Sequence, residues 1–333
     1  MRAVKSLPIL TAPELARRLA AARQPYHDGY YAFYSSLLDG LVTDPTLMTV
    51  PLDDHLVHRG DGVFETLKCV EGGIYLWREH VDRLLRSAHR IGLQVPWTRE
   101  VLADLTAQTV RAGGHRDCLV RMIVSRGPGS LGVSPYDCPR PGLYILAHEL
   151  KPSFMAAHPG GARVITSALP VKPSFFATIK SCNYLPNALL KKEAADAGVD
   201  FALCFDEAGR LAEGATENAG LVTRDHVLRV PTAERILAGT TMNRALELAR
   251  ALLGPELRAV ETGPITRVDL AAAAEILIFG TTPDVTAVIE LDGRAIGPGE
   301  PGPVWRLLHD QLVRDLHGNA DLRLSVFNPA NAP

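Results

Sequence analysis

Strand-like and helix-like segments follow one another along this chain of 333 residues without the regular β-α alternation that winds a parallel sheet. In its first half MTVPLDD, GVFETLKCV and IYLW have strand character, and the turn EGG (Glu71 to Gly73) joins the last two as a hairpin. HVDRLLRSAHRIGL places Val81, Leu84, Leu85 and Ala88 on one side of a helix, and REVLADLTAQTVRAGG is a second helix ending at a double glycine. The strand LVRMIVS then leads through the glycine-rich loop RGPGSLGVSPYDCPRPG to the strand LYILAHEL. Further on, VITSAL, DFALCFD, RLAE, GLVTR, AEILIFG and VTAVIELDGRAI are strand-like. Helices at LPNALLKKEAADAG, MNRALELARALL and VWRLLHDQLVRDLHG interrupt them. The pattern is that of a mixed α/β (α+β) chain.

KPSFMAAHPGG, with two prolines and two glycines, is where a linker fits best. The expected division is a helical extension over 1–45, a small α/β domain over 46–150, a linker over 151–160 and a large domain over 161–333. In the extension, LTAPELARRLAAARQ carries Thr11 and Glu14 at capping-box spacing and Leu10 and Leu15 at staple spacing.

A net charge of −2 on a chain 47% hydrophobic and 22% charged offers no electrostatic reason for a nucleic-acid or anionic-membrane partner. The longest strongly apolar stretch, around AAAAEILIFG, falls well short of the ~20 residues of a membrane helix. Five cysteines without a CxxC pair fit a reducing, cytoplasmic setting better than a disulfide framework. Arg2, Lys5, Arg17, Arg18 and Arg23 near the N-terminus are also compatible with an organelle-targeting segment.

The chain lacks a GxxxxGK[ST] phosphate loop and a GxGxxG fingerprint, and PGSLG fails the GxSxG pattern at Pro128. His55 and His58 form an HxxH pair with no third ligand at a metal-site spacing, so no metal is expected and the two read as polar loop histidines.

Four features carry chemistry. Lys180 in SFFATIKSCNYLPN stands at what reads as the end of a buried strand, just before a helix. A desolvated lysine has a lowered pKa and attacks carbonyls, although lysines beside buried strands also snorkel to water. Glu213 in LAEGATEN ends a strand at a glycine, where its carboxylate either faces a cleft or lies in a solvated turn. Gly239, Thr240 and Thr241 precede a helix, an arrangement that suits a phosphate as well as an ordinary N-cap. A second Gly-Thr-Thr step follows at Gly280, Thr281 and Thr282. Arg83 interrupts an apolar helical face, with Glu79 four residues earlier as an alternative surface partner. An amine for an imine, a carboxylate for a ring nitrogen, and an arginine with threonines for a phosphate together describe pyridoxal phosphate.

In HRGDGVFETLK, EHVDRLLRSA, IKSCNYLPNALLKKEA, LAEGATEN, ILAGTTMNRALELA and FGTTPDVTAVIELDG the sequence resembles the fold-type IV pyridoxal-phosphate enzymes, the class IV aminotransferases. That group includes branched-chain aminotransferases, D-amino-acid aminotransferases and aminodeoxychorismate lyases. The resemblance runs from about residue 46 to 320 and implies a two-domain architecture with the cofactor in the interdomain cleft, and a homodimer. It implies that Lys180 holds pyridoxal 5'-phosphate as an internal aldimine, that Glu213 bonds the ring nitrogen, and that Arg83, Thr240, Thr241, Thr281 and Thr282 surround the phosphate. Tyr184 matches the residue beside the cofactor's phenolic oxygen, one position nearer the lysine than in branched-chain enzymes.

Substrate choice is expected in the loop RGPGSLGVSP and near Phe64. Leu131 takes the place of the loop arginine of D-amino-acid enzymes, leaving Arg121 and Arg126 as carboxylate partners. IKSCNYLPN favours the D-amino-acid branch and EGATEN the branched-chain branch. The function expected is amino transfer between an amino acid of one of these types and a 2-keto acid. The alternatives are the lyase, which releases pyruvate, and a catalytically idle relative that only binds the cofactor.

Overall fold

The structure is a computed structural model that describes residues 6–327. Two sheets organise it, one in each half of the chain. The first is wholly antiparallel and runs in the order Arg323–Ser325, Gly73–Tyr75, Gly62–Val70, Cys118–Ser125, Gly142–His148, Tyr30–Ser35, Gly40–Val42. The second is mixed, in the order Ala259–Thr262, Val227–Val230, Asn218–Val222, Glu275–Gly280, Asp284–Leu291, Ala162–Thr166, Phe201–Leu203, with Arg294–Ala295 folded back on Asp284–Leu291. The residues between the sheets hold a single helical turn, Phe154–Ala157.

Two edges depart from the expected division. Past residue 29 the expected helical extension becomes the strands Tyr30–Ser35 and Gly40–Val42 of the first sheet, where Ala32, Phe33 and Tyr34 are buried. YYAFYS is rich in β-forming aromatics, and burying them outweighs continuity with the preceding helix. At the other end, Arg323–Ser325 leaves the large half and pairs with Gly73–Tyr75. The extension helix itself, Ala12–Ala21, starts at the expected Thr11–Glu14 capping box and buries none of its residues. Arg2 and Lys5 lie outside the described residues.

The helices Trp77–Arg90 and Arg99–Gly113 lie on the first sheet. Val81, Leu84, Leu102 and Val110 pack there with Val63, Leu67, Val120, Met122 and Ile145, all buried. Removing a side chain of this size from water contributes roughly 1.5–3 kcal/mol, so this layer fixes the pose of every residue the first helix carries. Alternation along Gly62–Val70 then decides the site. Val63, Glu65, Leu67 and Cys69 share the face toward the helix, whereas Phe64 and Lys68 point to the second half of the molecule.

In the second sheet Gly220 lies in the interior strand Asn218–Val222. A Cβ there would stand 2.8 Å from Arg229 O and 2.7 Å from Val230 Cγ1, so its smallness lets the neighbouring strand approach.

Candidate functional site

SFFATIK is not a strand. Ser174–Ala177 is one helical turn, and Phe175 and Phe176 are 49% and 56% exposed. Pro170 and Pro173 deny this stretch the N–H donors of a ladder. The chain becomes extended only at Lys180–Cys182, where it lies along the free edge of Gly62–Val70. Phe64 N–H donates to Lys180 O at 3.0 Å, Cys182 N–H donates to Gly62 O at 2.8 Å, and Val63 bridges Ser181. The Lys180 N–H is taken by Ser87 Oγ at 3.2 Å. The lysine backbone is thereby fastened to the first half, while the helix Leu185–Asp196 that follows it packs into the second.

Lys180 is 8% exposed. Its Nζ donates to the Tyr184 hydroxyl at 3.1 Å and stands 4.6 Å from the centre of the Phe64 ring. Burial, then the Arg83 charge, pulls its pKa down to about 8, against the opposing pull of Glu65 and Glu213. Burial conversely raises the Tyr184 phenol and pushes the neighbouring Cys182 thiol up to about 12, so that thiol is no nucleophile at neutral pH.

Glu213 lines the same small cavity as Lys180, Tyr184 and Asn187. A bridged turn places it, with Cys204 N–H donating to Glu213 O and Glu213 pairing with Asn218. Its Oε2 accepts from Leu237 N–H at 3.0 Å. Among the described residues Oε1 has no hydrogen-bond donor, and Lys172 Nζ stands 3.8 Å from it. Burial raises the carboxyl's pKa against the pull of Lys172 and the Leu237 N–H. Asn187 spends its amide on Ala215 O, leaving Oδ1 buried in the cavity wall without a donor among the described residues.

Arg83 does not pair with Glu79. Its Nε and Nη2 donate to Glu65 Oε1 and Oε2 at 2.7 and 2.8 Å, and Nη1 donates to Ala238 O at 3.0 Å. Burial opposes ionisation of Glu65, but the Arg83 charge and its hydrogen bonds, with the His80 hydrogen bond added, outweigh it and hold the carboxyl far below its ordinary range. His80 Nδ1 meets Glu65 Oε2 at 2.7 Å and Nε2 meets Thr240 Oγ1 at 3.2 Å. Burial lowers the His80 pKa, and a carboxylate can only accept. The neutral ring therefore carries its proton on Nδ1, and Nε2 accepts from the Thr240 hydroxyl.

Gly239 caps the helix Thr240–Arg250, whose first N–H groups have no intrahelical partner. A Cβ at Gly239 would collide with Asn218, which itself donates to Leu237 O at 2.9 Å. Thr241 and Thr281 share a small cavity with Lys68, His80 and Asp284. Thr282 is exposed and borders a different surface hollow with Glu217 and Pro283.

The residues expected to choose substrate separate. Phe64 is beside Lys180, and Arg121 stacks its guanidinium 5.3 Å from the same ring with no carboxylate partner among the described residues. Arg126 is consumed: it grips Asp61 twice at 3.0 Å and the carbonyls of Ile91 and Gly92. Leu131 is 69% exposed on its loop, where its carbonyl accepts from Arg59 at 2.5 Å. It does not line the Lys180 cavity. His55 and His58 sit on the short helix His55–Arg59, and His55 is fully buried with Nε2 on Ser130 O at 2.8 Å. They are not the loop histidines expected.

Glu65, His80 and Lys172 are absent from the residues singled out in the sequence. His80 stands three residues before Arg83 on the same helical face, a spacing that makes it findable. A larger cavity, about 670 Å³ and lined by Ser167–Ser174, Asp206, Arg210, Arg235 and Arg267, reaches this region through Lys172 but does not include Lys180.

The donor set fits pyridoxal phosphate: a low-pKa amine for its aldehyde, an open carboxylate oxygen for its ring nitrogen, and a helix mouth with threonine hydroxyls for its phosphate.

Known proteins bear on this geometry. The family described as Amino-transferase class IV matches residues 62–291. The chain is 38% identical to the chloroplastic D-amino-acid transaminase of Arabidopsis thaliana over 96% of its own length and 86% of the relative's. It is 33% identical to a putative branched-chain-amino-acid aminotransferase of Methanocaldococcus jannaschii over 83% and 94% of the two chains. Among solved structures, the T.th. branched-chain amino acid aminotransferase complexed with N-(5'-phosphopyridoxyl)-L-glutamate superposes with a TM-score of 0.80 at 30% identity. That match covers 89% of this chain and 99% of the other.

Proposed function

The chain belongs to the class IV aminotransferases, and on that premise we propose that it uses pyridoxal 5'-phosphate to move an amino group between an amino acid and a 2-keto acid. The observation that carries this is the single small cavity into which Lys180, Tyr184 and Glu213 converge. When bound, the cofactor supplies an electron sink for the carbanion left by loss of the substrate's α-proton.

The protein's own residues supply the rest. Lys180 Nζ, with its pKa near 8, is poised to take that proton at working pH and to return it on the other side of the reaction. Tyr184, kept as a phenol by burial, orients Nζ by accepting from the ammonium and donating to the amine. Glu213 Oε1 is free to bond the ring nitrogen and hold its proton there. Arg83 retains one unspent N–H on each of Nη1 and Nη2. These hydrogens, with the N–H groups of the helix mouth and the Thr241 and Thr281 hydroxyls, are the proposed phosphate donors. The Thr240 hydroxyl proton is already committed to His80.

Arg121 is the proposed partner of the substrate carboxylate. Its guanidinium and the Lys180 amine lie 5.3 and 4.6 Å from the centre of the same Phe64 ring, which puts a cation suited to a carboxylate beside the pocket that holds the reacting amine. Substrates of the D-amino-acid type are favoured by the relative of that name aligned over 96% of the chain, and the branched-chain type is the other reading.

A second copy of the chain is the proposed partner. Leu52, Val57, Leu131, Val133 and Tyr136, all exposed, lie on segments joined by the Arg59 bonds to Leu131 and Gly132. No helix among the described residues is long and apolar enough to cross a membrane. The five cysteines are free thiols, which supports a reducing compartment such as the cytoplasm.

The test is direct. Purified protein supplied with the cofactor is given D-alanine or L-leucine with 2-oxoglutarate, and the keto product is quantified. Keto acid from one handedness, formed in equal amount with glutamate, is expected. Pyruvate release from an aminodeoxychorismate-type substrate without any amino acceptor would replace transfer by the lyase reaction.

A further inference from the structure

The strands Gly62–Val70 and Asp284–Leu291 belong to different sheets, yet Lys68 Nζ on the first stands 2.5 Å from Asp284 Oδ1 on the second. Both side chains are nearly enclosed, at 7% and 14% exposure. Asp284 is also the residue that closes a hairpin. Gly280 pairs with Asp284, so Thr281, Thr282 and Pro283 form a three-residue loop, and Asp284 takes the left-handed conformation at φ 55°. The Thr286 hydroxyl donates to Pro283 O at 2.9 Å and braces the same turn. Thr281, in that loop, shares the small cavity at the mouth of the helix Thr240–Arg250 with Thr241, His80 and Lys68.

The helix mouth has its own ties to the first half of the molecule. Arg83 donates to Ala238 O, His80 meets Thr240, and Asp315 receives both Tyr75 and Arg244. Among the described residues, the ion pair that ties the hairpin to the first sheet is Lys68–Asp284.

We propose that Lys68 and Asp284 are positioning residues for the cofactor phosphate: the pair holds the Thr281 hairpin against the helix mouth so that Thr281 and Thr241 address one phosphate group. In this role the pair acts through the hairpin, with the Lys68 ammonium spent on Asp284. This rests on the cofactor reading above. An unpaired charge left at the base of the turn would let the hairpin shift, and the loss would fall on the phosphate end of the site while the Lys180 end, fastened through Gly62 and Phe64, stays in place.

Pyridoxal lacks the phosphate and masks much of its aldehyde as the hemiacetal of its 5'-hydroxyl, a factor common to every variant, so the change from wild type measured separately for each compound isolates the phosphate end. Equilibrium binding of both by absorbance is measured for the wild type, Lys68→Met, Asp284→Asn and the double variant. Asparagine tolerates the left-handed backbone, so Asp284→Asn removes the charge without straining the turn. Each single variant is expected to weaken pyridoxal phosphate binding roughly 10-fold or more, the scale of an outer-layer contact. Pyridoxal binding should move by less than about 2-fold, and the double variant should fall well short of the product of the singles. Equal losses for both aldehydes, or no loss for either, would overturn the proposal. A wild type that binds pyridoxal phosphate no better than pyridoxal would instead remove the cofactor reading on which it stands.

Discussion

Glu65 receives Arg83 at both of its carboxylate oxygens, at 2.7 and 2.8 Å, with only 1% and 7% of the two side chains exposed. The helix Trp77–Arg90 and the strand Gly62–Val70 are locked together at the point where the helix also reaches Ala238 and Thr240 of the second half. Arg83 thus enters the site already oriented, with its charge balanced by Glu65.

Removing Glu65 leaves a buried guanidinium without its carboxylate. Glu65→Ala is expected to lose roughly 3–5 kcal/mol of stability, read from urea unfolding midpoints. The pH dependence follows from the same pair. A carboxyl whose folded pKa lies below its unfolded value contributes stability that is fully present above the unfolded value, about 4.3. It is lost as pH falls below that point toward the folded pKa. Wild type should therefore lose stability more steeply below about pH 4 than Glu65→Gln does, and parallel curves would contradict the ion pair.

Lys180 has the opposite linkage. Its folded pKa of about 8 lies below the ordinary lysine value, so the buried ammonium destabilises the cofactor-free protein below pH 8. That cost is relieved as pH rises through 8 toward about 10.4. Capture of pyridoxal phosphate by cofactor-free protein should accelerate with a midpoint near pH 8 in stopped-flow absorbance. A midpoint near pH 10, about the ordinary lysine value, would show an amine that burial does not perturb.

Arg121 lies within the strand Cys118–Ser125 and Arg126 directly follows it, yet their partners differ and their variants should separate in kinetics. Arg121→Met, which removes a cation without a carboxylate partner among the described residues, should raise KM for the amino acid by roughly 10-fold or more and leave cofactor binding unchanged. Arg126→Met strips Asp61 and two helix-end carbonyls of their donor, so it should lower thermal stability with KM little moved. The reverse assignment would place the carboxylate site at the loop instead of the strand.

Much of this site is legible in the sequence because its residues mark local events. Thr240 and Thr241 open a helix, Glu213 precedes a glycine turn, and Arg83 interrupts an apolar helical face. Glu65 is not legible. In GVFETLKCV it occupies what looks like a solvated position, and only the packing of both strand faces shows it buried. Lys172 sits between prolines in an irregular segment with no period to read. Phe175 and Phe176 resemble a buried strand by composition, yet Pro170 and Pro173 break the ladder and leave them exposed. The pairing of Arg323–Ser325 with Gly73–Tyr75 joins segments far apart along the chain and has no local signal at all.

Capture of the cofactor by the Lys180 amine leaves a trace that reduction makes permanent. Wild type and Lys180→Ala are incubated with pyridoxal phosphate, reduced with borohydride, digested and mapped by mass spectrometry. A phosphopyridoxyl adduct is expected on the peptide containing Lys180 in wild type and not on that peptide in the variant. An adduct on Lys172 or Lys68 with Lys180 unmodified would contradict it.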